Sequence, residues 1–130
     1  MILDTSFLID LMHGDDDAVE MAETIESDLR QQRVSSMTLF ELYYGVARST
    51  RSDAERKRIE TVLDSKPVQP ADSAVMRKAG RLAGELMNEG NAVDDSDVVI
   101  GATAAMLDEP VLTRNVDDFE RIPGVDVETY

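Results

Sequence analysis

Short apolar segments alternate with longer helical segments along the whole chain, and this alternation limits the possible folds more than any other feature. Parallel strands need a crossover between them, usually a helix, so the alternation predicts an α/β domain with a parallel sheet. Strands are predicted at 1–3, 34–36, 66–70, 110–113 and 125–128. Helices are predicted at 5–12, 15–29, 37–49, 53–64 and 72–89. A sixth helix, rich in small residues, is predicted to follow the acidic segment 94–97 and to run to residue 105.

Apolar spacing predicts which face of each helix is buried. In the second helix the expected buried stripe is Val19, Ala22, Ile25 and Leu29. The third helix has apolar residues on more than one face and is therefore expected to be largely buried. Its apolar residues are Leu39, Phe40, Leu42, Tyr43, Val46 and Ala47. The segment 114–119 is predicted to be a polar turn after the fourth strand.

The length of 130 residues predicts one domain, 1–130, with a core of its own. Residues 1–12 carry two acids and no basic flank, so no signal peptide is expected. No apolar run approaches the length of a membrane span, and the sequence predicts a cytoplasmic protein that does not enter membranes. Cysteine is absent, which excludes disulfides, thiolate nucleophiles and zinc thiolate sites.

The charge balance is strongly acidic. The chain contains 27 acidic and 13 basic residues, which gives a formal net charge of −14, and only three of the basic residues are lysines. Salt near 1 M shortens the Debye length to about 3 Å and makes such self-repulsion tolerable, so the composition predicts a halophilic source. An ordinary acidic protein is the alternative. Either way, nucleic-acid binding through a broad basic face is disfavoured, and binding of RNA would need a local device.

One such device is a basic segment around the start of the fourth helix. It contains Arg48, Arg51, Arg56, Lys57 and Arg58. These side chains are candidates for contact with RNA. The alternative is a solvated helical face on which neighbouring glutamates pair with the arginines three or four residues away.

Four carboxylates fall at comparable places in the predicted fold. Asp4 directly follows the first strand, at the sheet edge where open α/β folds bind ligands. Glu41 lies among apolar residues, where an unpaired carboxylate is unfavourable and needs a partner. Asp97 lies in the first turn of a helix, and Asp118 follows the fourth strand.

Each carboxylate also has a purely structural explanation. Glu41 fits a capping box with Thr38 as the N-cap residue. Asp97, with Asp94 and Asp95, fits stabilisation of a helix N-terminus, and Asp118 fits an Asx turn. His13, the one histidine, is expected only to end a helix.

The joint occurrence of the four acids points to a cation, because converging carboxylates repel one another and resist ionisation. Oxygen ligands without cysteine favour Mg²⁺ or Mn²⁺. Such a metal lowers the pKa of a bound water and neutralises charge on a phosphodiester, so hydrolysis of a nucleic-acid backbone is the expected reaction.

Four short motifs occur in a specific order. They are Asp4-Thr5-Ser6, Thr38–Leu42 with Gly45, Asp97–Ala102 with Ala104, and Thr113-Arg114-Asn115 leading to Asp118-Phe119. In this order they resemble the PIN-domain ribonucleases, particularly the VapC toxins of toxin and antitoxin pairs, over nearly the whole chain. The resemblance implies a three-layer fold with helices on both faces of a parallel sheet of order 3-2-1-4-5. It also implies cleavage of single-stranded RNA with Mg²⁺ or Mn²⁺, a homodimer, and inhibition by a VapB-type antitoxin.

Residue roles follow from the same resemblance. Asp4, Glu41 and Asp97 would hold the metal and Asp118 would be the fourth acid. Thr5, Ser6, Thr113 and Asn115 would support these ligands by hydrogen bonding, and Arg114, Arg48 or Arg51 would hold RNA. The chain departs from the usual pattern at Gly101, where alanine is common. Asp94, Asp95 and Asp117 offer rival carboxylates, so the fourth acid stays open.

Two other functions are consistent with parts of the sequence. A non-catalytic PIN-like module that binds a partner protein predicts binding without metal-dependent hydrolysis. A phosphoryl-transfer domain is disfavoured, because no second acid follows Asp4 at the spacing of an Asp-x-Asp pair and no lysine follows a late strand.

Overall fold

The computed structural model of the protein describes residues 1–130 and contains seven helices and five two-residue strands. The strands are β1 (Ile2–Leu3), β2 (Val34–Ser35), β3 (Val68–Gln69), β4 (Val111–Leu112) and β5 (Val127–Glu128). The helices are α1 (Thr5–Met12), α2 (Asp16–Ser27), α3 (Ser36–Arg48), α4 (Ser52–Leu63), α5 (Ser73–Asn88), α6 (Asp95–Leu107) and α7 (Val116–Glu120). The predicted α/β class is confirmed.

All strand pairs are parallel. β4 lies between β1 and β5, and β2 pairs with β3. A parallel bridge between Ile2 and Arg33 joins the two groups, with hydrogen bonds from Leu3 N to Arg33 O and from Arg33 N to Met1 O. The strands therefore follow the expected order 3-2-1-4-5, with β3 and β5 at the edges.

Successive residues of the central strands point to opposite faces of the sheet and so divide the apolar core in two. Ile2 and Val111 belong to a cluster with apolar residues of α5 and α6. Leu3 and Leu112 belong to the other cluster, with residues of α1, α2 and α4. The expected three layers, with helices on both faces, are thus present.

Two burial predictions are wrong. α2 ends at Ser27, and Leu29 follows it in a left-handed conformation (φ 55°) with 90% of its surface exposed, because the helical spacing no longer applies there. Val19 is also exposed, whereas Ile25 is fully buried. α3 is not largely buried, since only Thr38 and Leu42 on its inner face are fully enclosed.

The outer face of α3 instead carries exposed aromatic side chains. Phe40 is 63% exposed and Tyr44 is 56% exposed, and their rings stack with centroids 6.3 Å apart. Tyr43 is exposed as well. A face of this kind indicates a surface that meets another molecule.

The segment predicted as a polar turn forms the short helix α7. Its Phe119 is fully buried beside Ile122, and enclosing that ring draws the segment into a helical turn. Asp117 and Asp118 lie in the first turn, where the helix dipole favours acids.

α6 is the most deeply buried helix, with every residue from 97 to 104 enclosed. Small side chains allow this close approach. A Cβ added at Gly101 would lie 2.9 Å from Ile122 Cδ1 and 3.3 Å from Val125 Cγ2, so an alanine there would require these side chains to shift. None of the helices is both long and apolar enough to span a membrane.

Candidate active site

The candidate site lies where β1 and β4 end side by side. Leu3 pairs with Leu112. Asp4 directly follows Leu3 along the chain, and Thr113 directly follows Leu112. Asp4 N donates to Leu112 O at 2.9 Å, which fixes the backbone of both residues. Asp4 and Thr113 are therefore neighbours at the carboxyl edge of the sheet, where β1 and β4 border the point at which the strand order reverses.

Two hydroxyl groups hold the Asp4 carboxylate. Ser6 Oγ and Thr113 Oγ1 each donate to Asp4 Oδ2 at 2.7 Å. Asp4 is 1% exposed and Thr113 is fully buried, so these bonds are shielded from water. Asp4 Oδ1 receives no hydrogen bond from the protein and remains available as a ligand atom.

Glu41 reaches the same region from α3. Thr5 Oγ1 donates to Glu41 Oε1 at 2.7 Å and lies 3.0 Å from Thr38 Oγ1. The capping-box explanation of Glu41 is wrong, because Ser35 is the N-cap residue and Thr38 lies within the helix. Burial raises the pKa of Glu41, and the nearby Asp4 and Asp94 raise it further against the opposing hydrogen bond from Thr5.

Asp97 shows that the acids converge. Burial raises its pKa to about 7, and the charges of Asp4, Glu41, Asp118 and Asp94 contribute in that order. Asp94, the N-cap residue of α6, makes no side-chain capping bond, so hydrogen-bonded capping does not account for the acidic segment. Four carboxylates from separate elements thus act on one buried acid.

The rival positions for the fourth acid differ in their surroundings. Asp118 acts on Asp97 more strongly than Asp94 does, while Asp117 is not among the charges that affect it. The side chain of Asp118 is 42% exposed, with Oδ1 at 3.9 Å from Arg121 Nη1. Asp117 points to solvent. The surroundings therefore favour Asp118 over Asp117.

The remaining predicted residues lie around this cluster. Asn115 supports it through its backbone, since Asn115 N donates to Thr113 Oγ1 at 2.9 Å. Arg114 follows Thr113, and its backbone N donates to Ser6 Oγ at 3.2 Å. Arg48 instead lies over the Tyr44 ring, 5.8 Å from the centroid, and Arg51 begins α4. Neither of these two arginines contacts the acids.

The rest of the basic segment follows the solvated-face alternative. Arg56 pairs weakly with Asp53 and Glu60, and Arg58 pairs with Glu55 at 3.6 Å. His13 is the exposed C-cap of α1, as expected.

Two residues beside the site were missed by sequence reasoning. Asp10 is 8% exposed and binds both Arg114 and Tyr130. An acid within the apolar spacing of α1 is a signal for a buried partner, and it was available in the sequence. Tyr130 carried no such signal, because only the fold brings it to α1.

The donor set suits a divalent cation of the Mg²⁺ or Mn²⁺ type, since all candidate ligands are carboxylate oxygens. As the side chains stand, no three acids or histidines are grouped closely enough to form a complete metal site. The free Oδ1 of Asp4 and the mutual repulsion around Asp97 nevertheless fit a cation, which would compensate the converging charges.

The chain is similar to proteins of known family and structure. Residues 1–125 match the PIN domain family. A tRNA(fMet)-specific endonuclease VapC from Salmonella typhimurium is 31% identical over 97 residues, covering 75% of this chain and 74% of that protein. Ribonuclease VapC5 from Mycobacterium tuberculosis is 32% identical over 128 residues, covering 95% and 87%. The crystal structure of DNA-bound VapBC from Salmonella typhimurium matches with a TM-score of 0.88 at 27% identity, covering 98% and 96%.

Proposed function

The chain belongs to the PIN-domain family, and from this premise we propose that it is a metal-dependent endoribonuclease, the toxin of a toxin and antitoxin pair. The observation that carries the proposal is a set of converging carboxylates beside the strand ends: Asp4 is buried and held by Ser6 and Thr113, and Glu41 is held by Thr5. In agreement with this, burial and the carboxylates of three other elements raise the pKa of Asp97 to about 7. Such a cluster destabilises the folded protein when no cation is bound, and carboxylates with perturbed pKa values are typical of a functional site. The relatives named VapC and ribonuclease support the same reaction.

We assign Asp4, Glu41 and Asp97 to the metal and Asp118 to the position of fourth acid. Ser6 and Thr113 orient Asp4, and Thr5 orients Glu41. A Mg²⁺ or Mn²⁺ ion bound there would lower the pKa of water and neutralise charge on the phosphodiester. Single-stranded RNA is the proposed substrate, because its backbone is free to enter a small site of this kind.

The proposed partners are a VapB-type antitoxin, which inhibits the toxin, and a second copy of the chain. A solved VapBC structure of matching fold supports the antitoxin. The exposed aromatic side chains of α3, Phe40, Tyr43 and Tyr44, support a homodimer. We further propose that the protein acts in the cytoplasm, where its RNA substrate is found.

The test is cleavage of a short single-stranded RNA with Mn²⁺, measured for the wild type and for Asp4→Asn. The amide keeps the shape of the side chain and removes its charge, so we expect loss of about 100-fold or more in rate. Asp16→Asn is the matched control, since Asp16 is exposed in the first turn of α2, and it should retain activity. Equal activity of Asp4→Asn and the wild type would refute the mechanism. Antitoxin binding with no cleavage in any condition would favour the non-catalytic module.

A further inference from the structure

A buried carboxylate outside the acid cluster joins two distant parts of the chain. Asp10 Oδ1 lies 2.5 Å from Arg114 Nη1, and Asp10 Oδ2 accepts a hydrogen bond from the Tyr130 hydroxyl at 2.6 Å. Both oxygens of Asp10 are therefore used, one by a cation and one by a phenol. A buried carboxylate bound in this way holds both of its partners in fixed directions.

Tyr130 is itself held in place by packing. Its ring meets Phe7 edge to face, with centroids 5.1 Å apart and planes at 73°, and Phe7 is fully buried in α1. Burial and the neighbouring Asp10 carboxylate raise the pKa of Tyr130, so the hydroxyl keeps its proton and acts as the donor. The phenol is thus a rigid support for one side of Asp10.

Arg114 connects this support to the acid cluster. Its backbone N donates to Ser6 Oγ, and Ser6 Oγ in turn donates to Asp4 Oδ2. Its side chain stays 59% exposed, and of its three guanidinium nitrogens only Nη1 has a protein partner. The guanidinium carries five N–H donors, so most of them remain free for an anion.

Arg114 also supplies the positive charge of a hollow beside the site. The hollow has a volume of about 330 Å³, and the other lining residues are Asn115, Val116, Asp117 and Asp118. Arg114 is the one cation among them. Because Asp117 and Asp118 repel an anion, Arg114 is the residue of the hollow that can attract one, and the acidic chain of net charge −14 needs such a local cation to bind an anionic substrate.

We propose that Asp10 and Tyr130 are positioning residues that aim the Arg114 guanidinium into this hollow, where it binds a phosphate of the RNA next to the cleaved bond. The proposal rests on the proposed function and identifies the part of the substrate that Arg114 recognises. An arginine side chain loses rotamer freedom when it binds, and a side chain already held by Asp10 loses less.

The test compares Tyr130→Phe, Arg114→Ala and the double variant in the RNA cleavage assay. Tyr130→Phe keeps the ring on Phe7 and removes only the hydroxyl that donates to Asp10. We expect a lower melting temperature, with the protein still folded at the assay temperature, and about a three- to tenfold loss in kcat/KM. Arg114→Ala should lose more. In the Arg114→Ala background the Tyr130→Phe change should have no further effect, because it acts through Arg114. Thr61→Val removes a hydroxyl that donates only to Lys57 O on the exposed face of α4, and it is the matched control.

Additive losses in the double variant would overturn the proposal, as would full activity of Tyr130→Phe. Asp10→Asn gives a second test, since it weakens the ion pair without changing shape, and it should also have no effect once Arg114 is alanine. Binding of a 2′-O-methyl oligonucleotide, which resists cleavage, separates this proposal from the proposed function. If the wild type binds this oligonucleotide but cleaves no RNA, the nuclease function fails. In that case, an affinity for the oligonucleotide that is about three- to tenfold lower in Tyr130→Phe would still support the positioning role. Absence of oligonucleotide binding by the wild type would overturn it.

Discussion

Neutralising Asp97 should stabilise the metal-free protein, although it removes a proposed ligand. Asp97 is 8% exposed, and its charge is opposed by burial and by the carboxylates of Asp4, Glu41, Asp118 and Asp94. Asp97→Asn keeps the size of the side chain and removes the charge. The free energy of unfolding should therefore rise in the variant.

The magnitude follows from the pKa. A rise from the ordinary value of 3.8 to about 7 spans roughly three pH units, and at about 1.4 kcal/mol per unit this amounts to roughly 4 kcal/mol. A buried amide has a desolvation penalty of its own, so we expect a net gain of roughly 2 kcal/mol. For a domain of this size that corresponds to a melting temperature higher by roughly 6–10 °C.

The gain should depend on pH with a definite sign. Because the pKa of Asp97 is higher in the folded state, the folded protein binds more protons between pH 3.8 and about 7, and stability falls as pH rises through this window. The variant lacks this loss. The difference between variant and wild type should therefore change by roughly 4 kcal/mol across this window. Below about pH 4 the variant should be less stable by roughly 2 kcal/mol, because only the amide penalty remains, and above about pH 8 it should be more stable by roughly 2 kcal/mol.

Thermal or urea unfolding at several pH values, with EDTA present, measures this difference. Other carboxylates titrate in both proteins, so their effects cancel in the comparison. Asp117→Asn, the same charge change at an exposed position, should stay within about 0.5 kcal/mol of the wild type. A variant that is less stable than the wild type at pH 8, or a difference that does not change with pH, would refute the convergence of the four acids on Asp97.

Three further predictions address other parts of the protein. Thr113→Val removes the buried donor to Asp4, so the free energy of unfolding should fall by about 1–3 kcal/mol. Calorimetry should show an affinity for Mn²⁺ that is reduced about tenfold, and an unchanged affinity would contradict the role of Thr113. Phe40→Glu places a charge on the exposed aromatic face of α3 and should convert a dimer to a monomer in light scattering, whereas an unchanged mass would exclude this face from the interface. Raising KCl towards about 1 M should increase the melting temperature by screening the net charge of −14, and a flat response would argue against halophilic adaptation.

The α/β class and the parallel sheet were predicted from patterns that the sequence shows directly, whereas the three layers and the strand order followed from the resemblance to the PIN domains. Apolar segments such as 110–113 predict strands, and an acid directly after a strand indicates the carboxyl edge of the sheet. The wrong predictions concern contacts that no local pattern contains. Leu29 fits a helical stripe, yet the helix ends before it, and Phe40 has the composition of a core residue while it lies on the outer face. Apolar character is the same for a core and for a surface that meets a partner, so spacing alone does not separate them.

The candidate site was predictable to different depths for a similar reason. Asp4, Glu41, Asp97 and Asp118 are visible as acids at unfavourable places, and the motif order grouped them. Which hydroxyl binds which carboxylate was not visible, because Thr5 meets Glu41 across 36 residues and Thr113 meets Asp4 across 109. The Asp10 interaction with Tyr130 spans 120 residues and has no motif at all. Long-range polar contacts are a property of the packed fold and become known only with it.

The arrangement of small residues and acids in α6 shows how the fold keeps an unfavourable site in place. The lack of a side chain at Gly101 lets α6 pack closely against Ile122, and this packing carries Asp97 towards the strand ends. The apolar residues Val98 and Ile100 are almost completely buried on the same helix, and their burial contributes roughly 1.5–3 kcal/mol each. Together the two burials contribute roughly 3–6 kcal/mol, which offsets the roughly 4 kcal/mol by which the charge of Asp97 destabilises the metal-free chain. The helix therefore stays docked while its acid remains strained, and the position of Asp97 is set by the apolar residues beside it.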